Sequence, residues 1–218
     1  MKRSLNSWGM LLVGCLLLAV PAWAGGAKHL ASSMNRVTAA YDQEWSSYLA
    51  YRAYAKQAEH EGATSAAVLF RALAEAELAH TGLHAAVLRW AGQSPDTQYE
   101  TPPFSMVTAE NLEAALRSEQ QAVDDLYSPM ISLFETQGEE EAARAARFAR
   151  GAEVSHAALC DELIHHNLLA AAWGDSLAPR WEGAQFYVCS TCGFLMRSIP
   201  GARCPNCYAE SRSLLAVR

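Results

Sequence analysis

The 218-residue chain has no run of lysine or arginine, and its 17 basic residues are outnumbered by 23 acidic ones, for a formal net charge of −6. A chain without a basic stripe lacks the electrostatic footprint of a nucleic-acid binder, so no nucleic-acid partner is expected. Its one pronounced apolar run, Met10 to Val20, is too short to span a bilayer and ends at Pro21. The long central segments contain almost no run of β-branched residues, which argues for helix rather than sheet. Cysteine is sparse over most of the length: Cys15 and Cys160 stand alone, and the other four lie together near the end.

The first 24 residues have the layout of a secretory leader. Met1-Lys2-Arg3 is a charged n-region, Met10 to Val20 a short h-region, and Ala22-Trp23-Ala24 an A-x-A cleavage site. Cleavage after Ala24 and an exported, periplasmic location are expected. Leu12-Val13-Gly14-Cys15 resembles a lipoprotein cleavage box, and a lipid anchor through Cys15 is the lesser alternative because little apolar sequence precedes it. Without Lys2 and Arg3 the balance becomes 15 basic against 23 acidic residues. An oxidising compartment makes disulfides the default reading of cysteines.

Apolar residues at steps of three and four predict helices over Ala39 to His60 and Ser65 to Ala91, with Gly62 as the stop between them. Gln93 to Phe104, rich in proline and polar residues, predicts a loop that crosses a bundle. Thr108 is placed as the N-cap of a third helix that runs to about Thr136, with Glu110 in its first turn and Pro129 kinking or opening it. Gly138 separates it from a fourth helix over Glu139 to Ala172. The expected domains are a bundle over 33–172, a linker over 173–184 and a small module over 185–218.

Two segments carry the chemistry: Glu77-Leu78-Ala79-His80 and Glu153-Val154-Ser155-His156. A Glu and a His three apart share one helix face. Glu44 precedes Glu77 by 33 residues and Glu119 precedes Glu153 by 34, and a glycine follows each lone glutamate by 18 or 19 residues. This repeat predicts a duplicated helical hairpin with pseudo-twofold symmetry. Glu, Glu-x-x-His, Glu, Glu-x-x-His is the ligand set of a di-metal carboxylate site inside a four-helix bundle. Solvated glutamates on outer faces would explain one such motif, but hardly two at matched spacing. Four buried carboxylates need compensating cations, and this donor set suits iron or manganese.

Cys189-x-x-Cys192 and Cys204-x-x-Cys207, eleven residues apart, form two knuckles able to hold one tetrahedral metal. Iron, structural zinc and a pair of disulfides all remain open on spacing alone. Gly193 and Pro205 suit the knuckle turns, and Phe186, Tyr187 and Phe194 are the candidate apolar shell.

With these motifs in this order the chain resembles the rubrerythrin family. The resemblance covers Glu44 to His80 without a gap, Thr108 to Leu112 at the start of the third helix, and the terminal knuckles. It implies an all-α, ferritin-like four-helix bundle followed by a rubredoxin-like four-cysteine domain. It implies a di-iron site with Glu77 and Glu119 bridging, Glu44 and His80 on one iron and Glu153 and His156 on the other. Tyr51 and Tyr127 match family tyrosines that hydrogen-bond the ligand carboxylates. One iron in the cysteine site, with zinc as the alternative, would feed electrons to the pair. The implied reaction is reduction of hydrogen peroxide to water, with an unknown electron donor and a homodimer in which one subunit's module approaches the other's di-iron site. Two departures stand out: Ala122 replaces an additional family glutamate, and Tyr208 replaces a glycine. Ala122 favours the alternative of a ferroxidase or dioxygen-reducing protein, and zinc in the cysteine site would indicate a non-enzymatic metal-binding protein. His84 and Cys160, seven residues after Glu77 and Glu153, are read as filling the layer beside the metals, and His165-His166 as a favourable charge near the end of the fourth helix.

Overall fold

The computed structural model describes residues 23–95, 99–173, 183–199 and 201–218. Cys15 and all but the last two positions of the expected leader lie outside these residues, as does 174–182 of the expected linker. Helix α1 spans Trp23–His60 and α2 spans Thr64–Trp90. The third helix is composite: α3 Thr108–Gln121, a π-helical segment Ala122–Tyr127, and α4 Ser128–Gln137. Helix α5 spans Glu140–Trp173. Gly62 and Gly138 sit at the two hairpin turns, where expected. Among the described residues no helix is long and apolar enough to cross a membrane.

Helix α1 starts well before the expected Ala39. Met34, Val37, Ala40 and Tyr41 fall on one helical face and are buried with Phe134, Ala143 and Ala146 of α4 and α5, so packing extends the helix through a polar, glycine-containing start. Thr108 is not the N-cap. It is the first helical residue, and its backbone N–H is satisfied instead by the Glu61 carboxylate at 3.1 Å, a cap supplied across space from the end of α1. Those hydrogen bonds, first from Gln57 and then from Thr108, hold the Glu61 carboxyl below its ordinary range.

Pro129 opens the third helix as its missing N–H predicts, and the consequence is the π segment just before it. The N–H of Ser128 reaches back five residues to the Val123 carbonyl, and the Ser128 hydroxyl donates to the same oxygen at 2.6 Å.

The C-terminal module is a three-stranded antiparallel sheet of β1 Phe186–Cys189, β2 Leu195–Met196 and β3 Leu214–Val217, in the order β2-β1-β3. Its apolar face carries Phe186, Val188, Leu195 and Val217, all buried in the same cluster as Leu69, Phe70, Leu73 and Leu163 of the bundle. Fully burying such a side chain contributes about 1.5–3 kcal/mol, so the module is docked by a shared core. The expected apolar shell is redistributed accordingly. Phe186 faces the bundle, while Phe194 packs on the cysteines together with Leu83 of α2 and Phe148 of α5.

Candidate metal centres

The six predicted bundle ligands meet in one buried layer. Glu44, Glu77, His80 and Glu153 place one donor atom each within 4.8 Å of one another, and so do Glu77, Glu119, Glu153 and His156. All six side chains are buried, with Glu44 and Glu119 the least so at 2% exposure. The shared pair is Glu77 and Glu153, which corrects the expectation of Glu77 and Glu119. Glu77 turns Oε2 to His80 Nδ1 at 2.8 Å and Oε1 to His156 Nδ1 at 3.7 Å. Glu153 turns Oε1 to His80 at 3.1 Å and Oε2 to His156 at 3.2 Å. The reason is positional. The two Glu-x-x-His helices, α2 and α5, face each other across the core, so their glutamates reach both halves of the site. Glu44 and Glu119 come from α1 and α3 and each reaches only the nearer imidazole, at 3.6 and 3.3 Å.

Both imidazoles present Nδ1 to the carboxylates and donate the N–H of Nε2 to the cysteine module. His80 Nε2 lies 3.2 Å from the Cys192 carbonyl oxygen, and His156 Nε2 lies 3.0 Å from that of Gly193. A partner on one nitrogen fixes the tautomer and leaves the other as a metal ligand. The rings stack at 5.6 Å. Gly193 permits this approach: its φ of +73° is left-handed, and a Cβ there would lie 2.9 Å from the Ala76 carbonyl oxygen and 2.7 Å from His80 Cδ2. The module of this chain therefore sits on its own chain's bundle.

The two tyrosines cross between the halves. Tyr51 of α1 donates to Glu119 of α3, and Tyr127, the last residue of the π segment, donates to Glu44 of α1. Tyr51 follows Glu44 by seven residues but Tyr127 follows Glu119 by eight. The π segment lies in that interval, and its one extra residue per turn keeps Tyr127 on the inward face. Tyr127 also accepts from His84 Nε2 at 2.9 Å. Burial first, with the Glu44 charge partly opposing it, lowers His84 to about 4, so it is a neutral donor. Cys160 is fully buried, and burial together with the charges of Glu119 and Glu77 pushes its thiol well up. Such a thiol is inert rather than reactive. Asp124 and Asp125 are exposed, away from the layer, as their spacing predicts. His165 and His166 lie two turns inside α5 rather than at its end, and His165 Nδ1 bonds the Asp161 carbonyl at 2.9 Å.

Electrostatics reports how much charge is packed here. Burial and the neighbouring carboxylates, Glu153 foremost, push Glu77 well up and Glu119 to about 8. Burial alone would lower both imidazoles, but the surrounding carboxylates outweigh it, raising His156 to about 9 and His80 well above its usual range. Without cations the cluster is neutralised by protons; cations are the natural replacement.

In the module the sulfurs pair at 3.7 Å, Cys189 with Cys207 and Cys192 with Cys204, and all four lie within 4.8 Å of one another. A tetrahedron with metal–sulfur bonds of about 2.3 Å has edges of about 3.8 Å, whereas a disulfide requires about 2.05 Å. The thiols fit one tetrahedral ion. Three contributors have no counterpart in the motif reading. Ser155, inside the second Glu-x-x-His, accepts from the Leu195 N–H at 3.3 Å. Asn206, inside the second knuckle, donates to the Phe148 carbonyl of α5 at 2.7 Å. Arg197 of the module pairs with Glu162 of α5 at 3.0 Å.

A carboxylate-and-imidazole pair site in a ferritin-like bundle, joined to a rubredoxin-like tetrathiolate module, is the plan of a recognised class of non-haem iron proteins. The rubrerythrin family model matches residues 35–164, more than half of the sequence, and the chain belongs to the rubrerythrin family. It is similar to nigerythrin from Nitratidesulfovibrio vulgaris (strain Hildenborough), with 29% identity over 189 residues, 85% of this chain and 86% of that protein. Among solved structures it is similar to nigerythrin in its mixed-valent state, with a TM-score of 0.70, 25% identity and coverage of 84% and 86% of the two chains. Fully reduced, all-ferrous nigerythrin gives a TM-score of 0.72 at 24% identity and the same coverage. Membership implies a di-iron site in the bundle and a four-cysteine metal site beside it.

Proposed function

We propose that the protein reduces hydrogen peroxide to water, using electrons that enter at an iron held by Cys189, Cys192, Cys204 and Cys207. The observation that carries this reading is the pair of hydrogen bonds from His80 and His156 to the Cys192 and Gly193 carbonyls. They join the backbone of a thiolate ligand to the imidazoles of the bundle site by a short bonded route within one chain. Iron in both sites would supply reversible one-electron chemistry and a Lewis acid for the peroxide oxygens. Glu77 and Glu153 would hold both ions of the pair, with Glu44 and His80 completing one side and Glu119 and His156 the other.

The chain's own groups do the rest. The Nε2–H donors keep each Nδ1 lone pair aimed inward. Tyr51 and Tyr127 hold Glu119 and Glu44 by their phenol protons, so these carboxylates keep their place as charge changes. Leu83 and Phe148 shield the cysteines from water. Reduction of peroxide to two waters consumes two electrons and two protons.

Metal analysis with the visible spectrum of pure protein tests the premise: thiolate-to-iron bands are expected, and a colourless protein containing zinc and no iron ends the redox reading. Stopped-flow mixing of the reduced protein tests the oxidant. A faster reaction with dioxygen than with peroxide selects the second reading, a dioxygen-reducing or ferroxidase protein. That reading draws on Ala122, a buried methyl group at the start of the π segment where the family carries a further glutamate. Export is part of the proposal through the leader-like first 24 residues, and N-terminal sequencing of the mature protein checks it.

A further inference from the structure

Asn206 joins the cysteine module to helix α5 without belonging to either ligand cluster. It lies in the second knuckle, Cys204-Pro205-Asn206-Cys207, yet its amide is held by the bundle. Nδ2 donates one N–H to the Phe148 carbonyl at 2.7 Å, and Cys192 Sγ, on the other knuckle, lies 3.4 Å from the same nitrogen. The amide has two N–H groups and so serves both acceptors at once. The carbonyl end of the amide rests over Gly151 of α5. A Cβ on Gly151 would lie 3.0 Å from Asn206 Cγ, 3.3 Å from Nδ2 and closer still to Oδ1. Gly151 is helical and not at a turn, so backbone freedom does not account for a glycine there; the space does. The bundle thus supplies a seat, the Gly151 gap and the Phe148 carbonyl, that turns the amide toward a ligand sulfur.

We propose that Asn206 is a positioning residue that raises the reduction potential of an iron in the four-cysteine site, and that it does so only while α5 holds its amide in place. The physical ground is charge. A ferrous tetrathiolate carries one more negative charge than the ferric one, so an N–H aimed at a ligand sulfur stabilises the reduced state more. Cys192 is the ligand whose carbonyl also accepts from His80, so the tuned sulfur lies on the side of the cage from which the bundle is reached. A module detached from α5 would lose the anchor of the amide, and its potential would fall. The inference rests on iron occupying the cysteine site, as in the proposed function, but not on peroxide being the oxidant.

The test is a spectroelectrochemical titration of the iron–thiolate bands in the full-length, iron-loaded protein, with Asn206→Ala, Asn206→Asp and Gly151→Ala compared against wild type. All three are expected to shift to lower potential. Asn206→Asp should move furthest, because it sets a carboxylate beside the thiolate, and Gly151→Ala should shift it although the substitution lies in the bundle. Unchanged potential in Asn206→Ala overturns the tuning role. A shift in Asn206→Ala with none in Gly151→Ala overturns the control by α5. A wild-type protein that shows no iron–thiolate bands overturns the underlying metal reading, and is told apart by its lack of colour before any titration. A shift in Gly151→Ala with unchanged visible bands supports the proposal, since general loosening of the cage would alter the bands.

Discussion

Gly193 passes over His80 so closely that a methyl group on its Cα would lie 2.7 Å from the imidazole Cδ2 and 2.9 Å from the Ala76 carbonyl oxygen. Conformation alone does not demand glycine in a knuckle: Tyr208 holds the equivalent place in the other one with φ +62° and an exposed side chain. At Gly193 the closed space decides. Gly193→Ala is therefore expected to push the module off the histidines, weakening both carbonyl hydrogen bonds. The measurement is the rate of electron transfer from the reduced four-cysteine iron to the bundle site, expected to fall at least tenfold while the iron–thiolate bands persist. An unchanged rate would remove this contact from the electron route.

At Tyr208 the sign reverses. A non-glycine residue in the left-handed region costs roughly 1 kcal/mol, and among the described residues the ring of Tyr208, 69% exposed, is not packed into any core cluster that would recover it. Tyr208→Gly is expected to stabilise the protein by up to about 1 kcal/mol, read as a rise of a few degrees in the thermal midpoint. A lower midpoint would mean that the exposed tyrosine makes a contact worth more than its strain.

The phenol-to-carboxylate bonds give a symmetric pair of predictions. Tyr127→Phe frees Glu44 and leaves His84 Nε2–H without its acceptor, whereas Tyr51→Phe frees Glu119 only. Loss of an outer partner of a metal ligand typically costs 10–100-fold in metal affinity or activity. Both variants should load metal more weakly, Tyr127→Phe the more so because it also orphans a buried donor. Competition with a chelator during iron loading ranks them, and equal affinities for both variants and wild type would rule out the positioning role.

Much of this was legible in the spacing. The glycine after each lone glutamate comes at 18 residues in the first half and 19 in the second, while each glycine precedes its Glu-x-x-His by 15. The surplus residue of the second half therefore lies before Gly138, and the interval from Glu119 to Tyr127 narrows it to the π segment that Pro129 provokes. What spacing could not convey was which glutamates are shared, because that depends on which helices face each other, not on order along the chain. The same holds for Glu61 capping α3 and Asn206 reaching α5. Both bonds join segments far apart in sequence, and neither residue stands out by type or periodicity.

Proton release should accompany metal uptake. In the cation-free cluster His156 lies at about 9 and Glu119 at about 8, so both are on the protonated side at pH 7, and His80 and Glu77 are raised as well. Each must shed its proton to bind a cation, so affinity should fall as pH drops below about 9, more steeply below about 8, and proton release should shrink as pH rises through 9. Calorimetry of ferrous or manganous uptake in buffers of differing ionisation enthalpy gives the count. Loading without net proton release at pH 7 would refute the charge balance described here.

His84 should make the fold sensitive to acid in a defined window. Its folded value of about 4 lies below the ordinary histidine value of 6.5, chiefly through burial. Between these two values the unfolded chain takes up a proton that the folded chain refuses, so stability declines as pH falls from 6.5 toward 4 and this contribution is constant above that range. The full effect is on the order of 3 kcal/mol. Glutamine at this position keeps an N–H for the Tyr127 oxygen and cannot ionise, so His84→Gln should flatten the acid limb of the thermal midpoint. Metal-depleted protein is the proper sample, since acid would otherwise release cations in the same range and steepen both curves. Parallel limbs for the variant and wild type would show that His84 gains its proton in the folded state at no cost.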